Sequence, residues 1–273
     1  MPTVILSKMK TERKDQVDYK LKIENDFLSL NKLIGREIQL AFTGNIFCLN
    51  CKKKTSKSFS QGYCFSCSQQ LASCDLCIVR PETCHYHLGT CREPSWGEEN
   101  CLRPHYVYLA NVSSLKVGIT RESQKLTRFM DQGAIEALRI FKVKSRLLAG
   151  LVEVGLKEYV SDKTNWRYLI NGKIEKEDLP YKRDELFEFI EPHIEEIYEK
   201  HGEDSVEFLM DSNLEEFQYP VLKFPQKIQS LNLEKCTSIK SELWGIKGQY
   251  LLFEYGAINV RKHSGFEVEL SYE

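Results

Sequence analysis

The sequence contains no run of roughly 18 consecutive apolar residues, the length a helix needs to span a bilayer, so a membrane-spanning helix is not expected. Its first residues, MPTVILSKMKTERKDQ, lack the basic start, apolar core and small-residue cleavage site of a secretory signal. A cytoplasmic location is therefore expected. There is no internal repeat and no low-complexity tract, which excludes a repeat architecture and a biased, disordered linker. Large aliphatics are sparse between residues 48 and 105, so that segment cannot hold itself together with an apolar core alone. What remains is a chain of 273 residues, 42% apolar, long enough for one large domain or two to three small ones.

Net charge is also nearly absent, at −1, but it conceals an asymmetry. Residues 106–170 carry eleven Lys/Arg against six Asp/Glu, whereas residues 174–216 carry four against sixteen. A basic middle beside an acidic segment fits an anionic partner that touches only the middle. Two solvated surfaces of opposite sign would give the same counts.

Cysteine is the most informative residue present. Nine of the ten lie between Cys48 and Cys101, and only Cys236 stands apart. Disulfides are rare in the cytosol, so clustering of this kind points to metal. CLNC (48–51) and CFSC (64–67) are two Cys-x-x-Cys turns separated by twelve residues. Each turn can aim two sulfurs at one ion, and the pair completes a closed tetrahedral zinc site through Cys48, Cys51, Cys64 and Cys67. Such a site is scaffold, with no open position for a substrate. CDLC supplies Cys74 and Cys77, followed by Cys84, His85, His87, Cys91, Cys101 and His105. A second zinc held by Cys74, Cys77 and two later ligands is expected. A third follows if Cys84, His87, Cys91, Cys101 and His105 divide between two ions. A redox role for CDLC is the alternative, without the strand–helix context of a thioredoxin-like motif. Between Cys91 and Cys101, REPSWGEEN reads as a loop.

The order of patterns gives an α+β fold in five segments: N-terminal strands (1–47), a zinc-binding cysteine-rich segment (48–105), a small mixed α/β domain (106–172), an acidic helical segment (173–217) and C-terminal strands (218–273). Glycines at 245, 248, 256 and 265 punctuate the last segment and predict an antiparallel sheet or small barrel. The N-terminal strand EIQLAFTGNIF has no neighbour in sequence, so it is expected to pair with that sheet. In the acidic segment Pro192 must kink a helix or start a new one, and His193 falls on the apolar stripe as a packed core residue.

VYLANVSSLKVGIT (107–120) predicts two strands joined by a turn at Asn111–Ser114. RESQKLTRFMDQGA then predicts a helix bearing Arg121 and Arg128. A second helix follows, with Leu148, Leu151, Val152, Gly155, Leu156 and Tyr159 on its apolar stripe. Glu153 and Glu158 lie at opposite margins of that stripe, and periodicity does not choose between them. DKTNWR (162–167) either lines a nucleic-acid groove, with Trp166 stacking on bases and Lys163 or Arg167 pairing with phosphate, or ends a helix anchored by its tryptophan.

This order resembles the GIY-YIG nuclease superfamily over about residues 105–170. YVY (106–108) matches the first family motif and KVG (116–118) the second, with Arg128 and Glu153 the best matches to the family arginine and glutamate. Lys116 stands where the family has its second tyrosine. The resemblance implies phosphodiester hydrolysis by a metal-dependent endonuclease. Tyr108 would orient or activate water, Arg128 would stabilise charge on phosphate, and Glu153 would hold Mg²⁺ or Mn²⁺, with Lys116 and Arg121 on the substrate. A zinc protein that only binds DNA or RNA, and an adaptor that uses the acidic helices, are the alternatives. Nearly the whole chain also resembles an uncharacterised bacterial family of unknown function, in CDLCIVRPETCHYHLGTC, KVGITR, DQGA, DKTNWR, GIKGQYL and NVRK.

Overall fold

A computed structural model describes residues 3–162 and 165–273. In chain order, the elements that frame the site are β1 (Glu37–Phe47), β2 (His105–Asn111), β3 (Leu115–Arg121), α1 (Lys125–Gln132) and β4 (Glu136–Val143). They are followed by α2 (Arg146–Leu156), α3 (Trp166–Asn171), α4 (Leu179–His201) and β5 (Phe266–Tyr272). The class is mixed α+β with several antiparallel sheets.

The central sheet runs Val206–Phe208, β4, β2, β3, so β3 forms an edge. Strand β2 is central, and all seven of its residues are buried. Its two-residue period divides the molecule. Val107 and Leu109 face a core shared with Leu148, Val152 and Leu156 of α2 and with Leu186, Ile190 and Ile194 of α4. Tyr108 and Ala110 face a larger core built with Phe129 and Met130 of α1 and the terminal strands. Burying each of the three α2 side chains stabilises the helix's position by roughly 1.5–3 kcal/mol. Ser145 caps that helix, its hydroxyl accepting from the Leu148 amide at 3.3 Å.

The two ends of the chain meet. Strand β5 pairs with β1 through Leu270↔Leu40 and with Thr3–Ile5 on its other side, while Ser238–Glu242 pairs with the far side of β1. The remaining C-terminal strands form a separate four-stranded sheet, and Lys10–Ser29 contributes a three-stranded one. Among the described residues these sheets stay open, and no barrel closes.

Several local expectations are corrected. REPSWGEEN is not a loop: Pro94–Asn100 is helical. Pro94 occupies the first turn, where its missing N–H is not needed. Gly97 packs closely there, since a Cβ would lie 3.1 Å from the Tyr86 ring and 3.3 Å from the Cys91 sulfur. DKTNWR starts a helix rather than ending one, with the Asn165 side chain accepting from Arg167 N at 3.1 Å. Helix α2 ends at Leu156, so Tyr159 leaves the stripe and stacks on Phe189 with ring centres 5.3 Å apart. Helix α4 continues through Pro192 as a single element, so no second helix starts there, and Leu186, Ile190, Ile194 and Ile197 are buried on both sides of it. His193 is a packed residue whose Nε2 lies 2.9 Å from the Leu151 carbonyl. The acidic segment is not wholly helical: Val206–Phe208 and Glu215–Glu216 return to pair with β4. No helix among the described residues is long and apolar enough to cross a membrane.

Candidate active-site cleft and metal centre

A cleft of about 480 Å³ runs along the open edge of β3. Residues 116–121 line it from the strand, Arg128 from α1, Arg146 and Glu153 from α2, and Arg261 from the turn before β5. The hairpin explains part of this convergence. Tyr108 and Gly118 are cross-strand partners. A Cβ on Gly118 would sit 2.6 Å from the Tyr108 hydroxyl, so the tyrosine of one motif occupies space that only the glycine of the other leaves open. Tyr108 itself is fully buried, edge-on to Phe129 with ring centres 4.7 Å apart, and accepts from Gln132 Nε2 at 2.7 Å. It lies behind the cleft floor rather than among the lining side chains. Burial raises its pKa, with the Arg128 guanidinium opposing.

Six cationic side chains line the cleft: Lys116, Arg121, Arg128, Arg146, Lys157 and Arg261. Among the described residues only Glu153 and Asp162 oppose them. A chain of net charge −1 thus concentrates positive charge where backbone strands and low-dielectric walls meet. Burial lowers the guanidinium pKa of Arg146 and of Arg261, and Arg128 nearby adds to both effects. The buried Nε atoms of Arg128 and Arg146 have no hydrogen-bond partner among the described residues. Arg146 is fixed from one side, donating through Nη2 to the Ile78 carbonyl at 2.6 Å. Arg121 donates to the Asn100 side chain. Burial, reinforced by Arg128, pulls the Lys116 ammonium down to about 8 against the opposing carboxylates Glu153 and Asp162.

Of the two glutamates at the margins of the α2 stripe, Glu153 lines the cleft, and Glu158 lies past the helix end, exposed to solvent. Burial raises the Glu153 pKa, although Lys157 opposes it from 3.2 Å. The same Lys157 ammonium lies 3.2 Å from Asp162. Two carboxylates from different parts of the chain therefore share one cation at the cleft wall. Asp162 and Arg146 were not singled out by sequence, whereas Arg261 stands in the NVRK stretch of the family resemblance and on a basic face read with Lys247, Gln249 and Lys262. Asp162 lay inside a motif read for its tryptophan, and nothing local marks Arg146.

Arg261 also borders a second cleft of about 400 Å³, lined by Gln132, Trp166, Tyr250 and Asn259 among others. Trp166 is half-buried there, and the exposed Arg167 guanidinium sits 5.0 Å from its ring centre. Lys163 lies outside the described residues.

Cys48, Cys51, Cys64 and Cys67 bring their sulfurs within 4.8 Å of one another. Cys51 and Cys64 sulfurs are 3.8 Å apart, the edge of a tetrahedron with Zn–S bonds of about 2.3 Å. The second turn starts the short helix Phe65–Gln70, whose Cys67 amide points at the Cys64 sulfur at 3.5 Å, while Asn50 donates to the Cys67 sulfur at 3.4 Å. Burial resists ionisation of Cys48, yet the backbone N–H groups of Cys64, Cys51 and Asn50 outweigh it and bring the thiol down to about 6. The donor set fits a closed structural ion such as zinc. The second expected ligand set is not assembled as predicted. Cys74 turns towards Ser60 and Ser73 on the side of the first cluster, and His87 is exposed. Cys77, Cys84, Cys91 and Cys101 instead line a cavity of about 20 Å³, and Asp75, Cys77 and His85 place donor atoms within 4.8 Å of one another.

A family model described as protein of unknown function, DUF2797, matches residues 35–268. The chain belongs to this family. No curated protein and no solved structure matches it. In this DUF2797 protein the matched span contains the cysteine quartet and every side chain that lines the cleft. It begins just before β1 and ends inside β5, so it reaches the Phe266↔Ile46 and Val268↔Phe42 pairs at the start of the β5–β1 ladder.

Proposed function

We propose that this DUF2797 protein is a metal-dependent endonuclease that hydrolyses phosphodiester bonds of DNA or RNA in a divergent GIY-YIG-like site. The supporting observation is the convergence of Lys116, Arg128 and Glu153, from three different elements, in one cleft whose cations outnumber its carboxylates. A polyanion is the ligand that such a cleft accepts with the least electrostatic cost.

The residues fit a hard divalent cation. Glu153 and Asp162 share Lys157, whose ammonium occupies the place between two carboxylates that Mg²⁺ or Mn²⁺ would take. When bound, that ion would neutralise charge on the scissile phosphate. Arg128, Arg146 and Arg261 bind the non-bridging oxygens and the flanking phosphates, and the bidentate guanidinium fork suits that geometry. Lys116, brought to about 8, is substantially neutral in mildly alkaline solution and takes the proton of the attacking water. This replaces Tyr108 in the role the resemblance implies for it. Tyr108 positions Gln132 and Arg128 from behind the floor. Trp166 and Tyr250, beyond Arg261, stack on the bases of the flanking nucleotides. A zinc ion in the cysteine quartet would be scaffold, with no open position for a substrate. The ten free thiols fit a reducing, cytoplasmic setting.

The test is strand cleavage of single-stranded, duplex and branched DNA and RNA with Mg²⁺ or Mn²⁺, comparing wild type with Glu153→Gln at equal zinc content. Metal-dependent cleavage by wild type, lost by 10²-fold or more in Glu153→Gln, is expected. Salt-sensitive binding without cleavage by either protein would overturn the catalytic reading and leave recognition, with Lys116 marking a lapsed site. Neither binding nor cleavage would favour an adaptor working through the acidic α4.

A further inference from the structure

We propose that Cys77, Cys84, Cys91 and Cys101 bind a second structural zinc ion, and that this ion holds Arg146 and α2 in place at the cleft. The four thiols come from separate turns of the chain yet border one cavity of about 20 Å³. A void of that size holds a single small occupant. Its other walls include Ala72, Tyr86, Trp96 and Gly97. Gly97 belongs to the short helix Pro94–Asn100, and the Cys91 sulfur stands 3.3 Å from where its Cβ would be, so the helix is packed against the sulfur itself. The four thiols border this void together with Asp75, His85 and Arg92, and the sulfurs of Cys84, Cys91 and Cys101 would close in on an ion that Cys77 already shares with neighbouring donor atoms. As thiolates around a divalent cation the four form a closed site.

The structure separates these four from the other candidates. Cys74 turns to the first cluster's side, beside Ser60 and within the field of Cys48. His87 is exposed, and neither it nor Cys74 borders the cavity. The competing set is Asp75, Cys77 and His85. Asp75 is engaged by Arg92 at 2.6 Å, whereas His85, held at Nδ1 by the Thr90 hydroxyl at 2.7 Å, keeps Nε2 able to ligate, 3.6 Å from Asp75, and is the rival ligand that the His85→Ala variant below tests. Asp75 and Arg92 then stand beside the sulfur site as supporting groups. A zinc ion with four thiolates carries a net charge of −2, and the nearby guanidinium of Arg146 offsets part of it at Cys77 and Cys101.

The link to the cleft runs through backbone. Ile78, next to Cys77, offers its carbonyl to Arg146 Nη2 at 2.6 Å, and the Cys101 carbonyl accepts from Arg146 N at 2.8 Å. Both ends of Arg146 are thus anchored to residues at or beside proposed ligands. Arg146 opens α2, the helix that carries Glu153. The ion is a positioning device for a cleft residue, separate from any catalytic metal.

The experiment is zinc stoichiometry and X-ray absorption on the full-length protein, neither of which involves nucleic acid. The expected result is two zinc ions per chain and a zinc shell of sulfur at about 2.3 Å without nitrogen or oxygen near 2.0–2.1 Å. Cys84→Ser and Cys91→Ser should each lose one ion and keep the other, while Cys74→Ser and His87→Ala keep two. One ion in the wild type would overturn the proposal. So would a nitrogen or oxygen shell that disappears in His85→Ala. If the serine variants fail to fold, the wild-type absorption spectrum still decides.

Discussion

The cysteine quartet draws its four ligands from residues 48–67, whereas the cleft draws its lining from residues 73–261. The first is assembled by two tight turns and an ion. The second exists only after β2 and β3 have paired, α1 and α2 have docked on opposite faces, and the turn before β5 has come round from the far end of the chain. A site built locally depends on its ion. A site built at long range depends on the sheet, and its side chains can change without loss of the fold.

Zinc removal breaks that comparison most sharply. Structural zinc contributes on the order of 10 kcal/mol to folding its own segment. Chelation is therefore expected to unfold residues 48–101, and Cys48→Ser residues 48–67, while β2, β3 and β4 keep their hydrogen-exchange protection. Protection of the 48–101 amides that survives complete zinc loss would show that the segment stands on its apolar contacts after all.

The cleft should respond in rate and not in fold. Lys116→Arg keeps the positive charge but removes a group that can be neutral near pH 8. In the proposed mechanism the reacting form is the neutral amine, which accumulates as pH rises above the folded pKa. Wild-type kcat/KM is therefore expected to climb with pH and level off above about 8, and Lys116→Arg to lose about 10²-fold along with the inflection. An unchanged profile in the variant would remove Lys116 from proton transfer. Circular dichroism should not distinguish the two proteins.

What could be read in advance follows the same division. Cys-x-x-Cys spacing specifies its own geometry, so the quartet was legible residue by residue. The hairpin was legible too, because alternation and a turn are local: the predicted turn at Asn111–Ser114 falls between β2 and β3. Pattern alone could not reveal that Tyr108 would be sealed behind Gly118, since which face of a central strand meets solvent depends on what covers it. Nor could it reveal Arg146, which looks like an ordinary surface arginine until tertiary contacts bury it beside Arg128. A Cys-x-x-Cys pair reads as one unit in sequence, but here Cys77 borders the cavity of the later cysteines while Cys74 neighbours Ser60 and Ser73, and Asp75 caps the short turn between them. REPSWGEEN was misread because proline and glycine favour loops in isolation, whereas here each occupies the one helical position it suits.

The contact between the two regions offers the smallest effect and the cleanest sign. Gly150, in the middle of α2, packs on the backbone of the cysteine-rich segment: an added Cβ would lie 2.5 Å from Glu82 N and 2.6 Å from Pro81 Cβ. Neither neighbour is the end of a flexible side chain, so one of the two elements must move. In a free helix, Gly→Ala is stabilising by roughly 1 kcal/mol through propensity. At this contact, overpacking should cost about 1–3 kcal/mol and reverse the sign. Denaturant unfolding of Gly150→Ala is therefore expected to show a lower midpoint, with zinc content unchanged and weaker binding in the cleft as α2 is pushed off the Pro81–Glu82 turn. A raised midpoint would mean that the cysteine-rich segment and α2 are not held together in solution, and that the local and long-range sites fold as independent units.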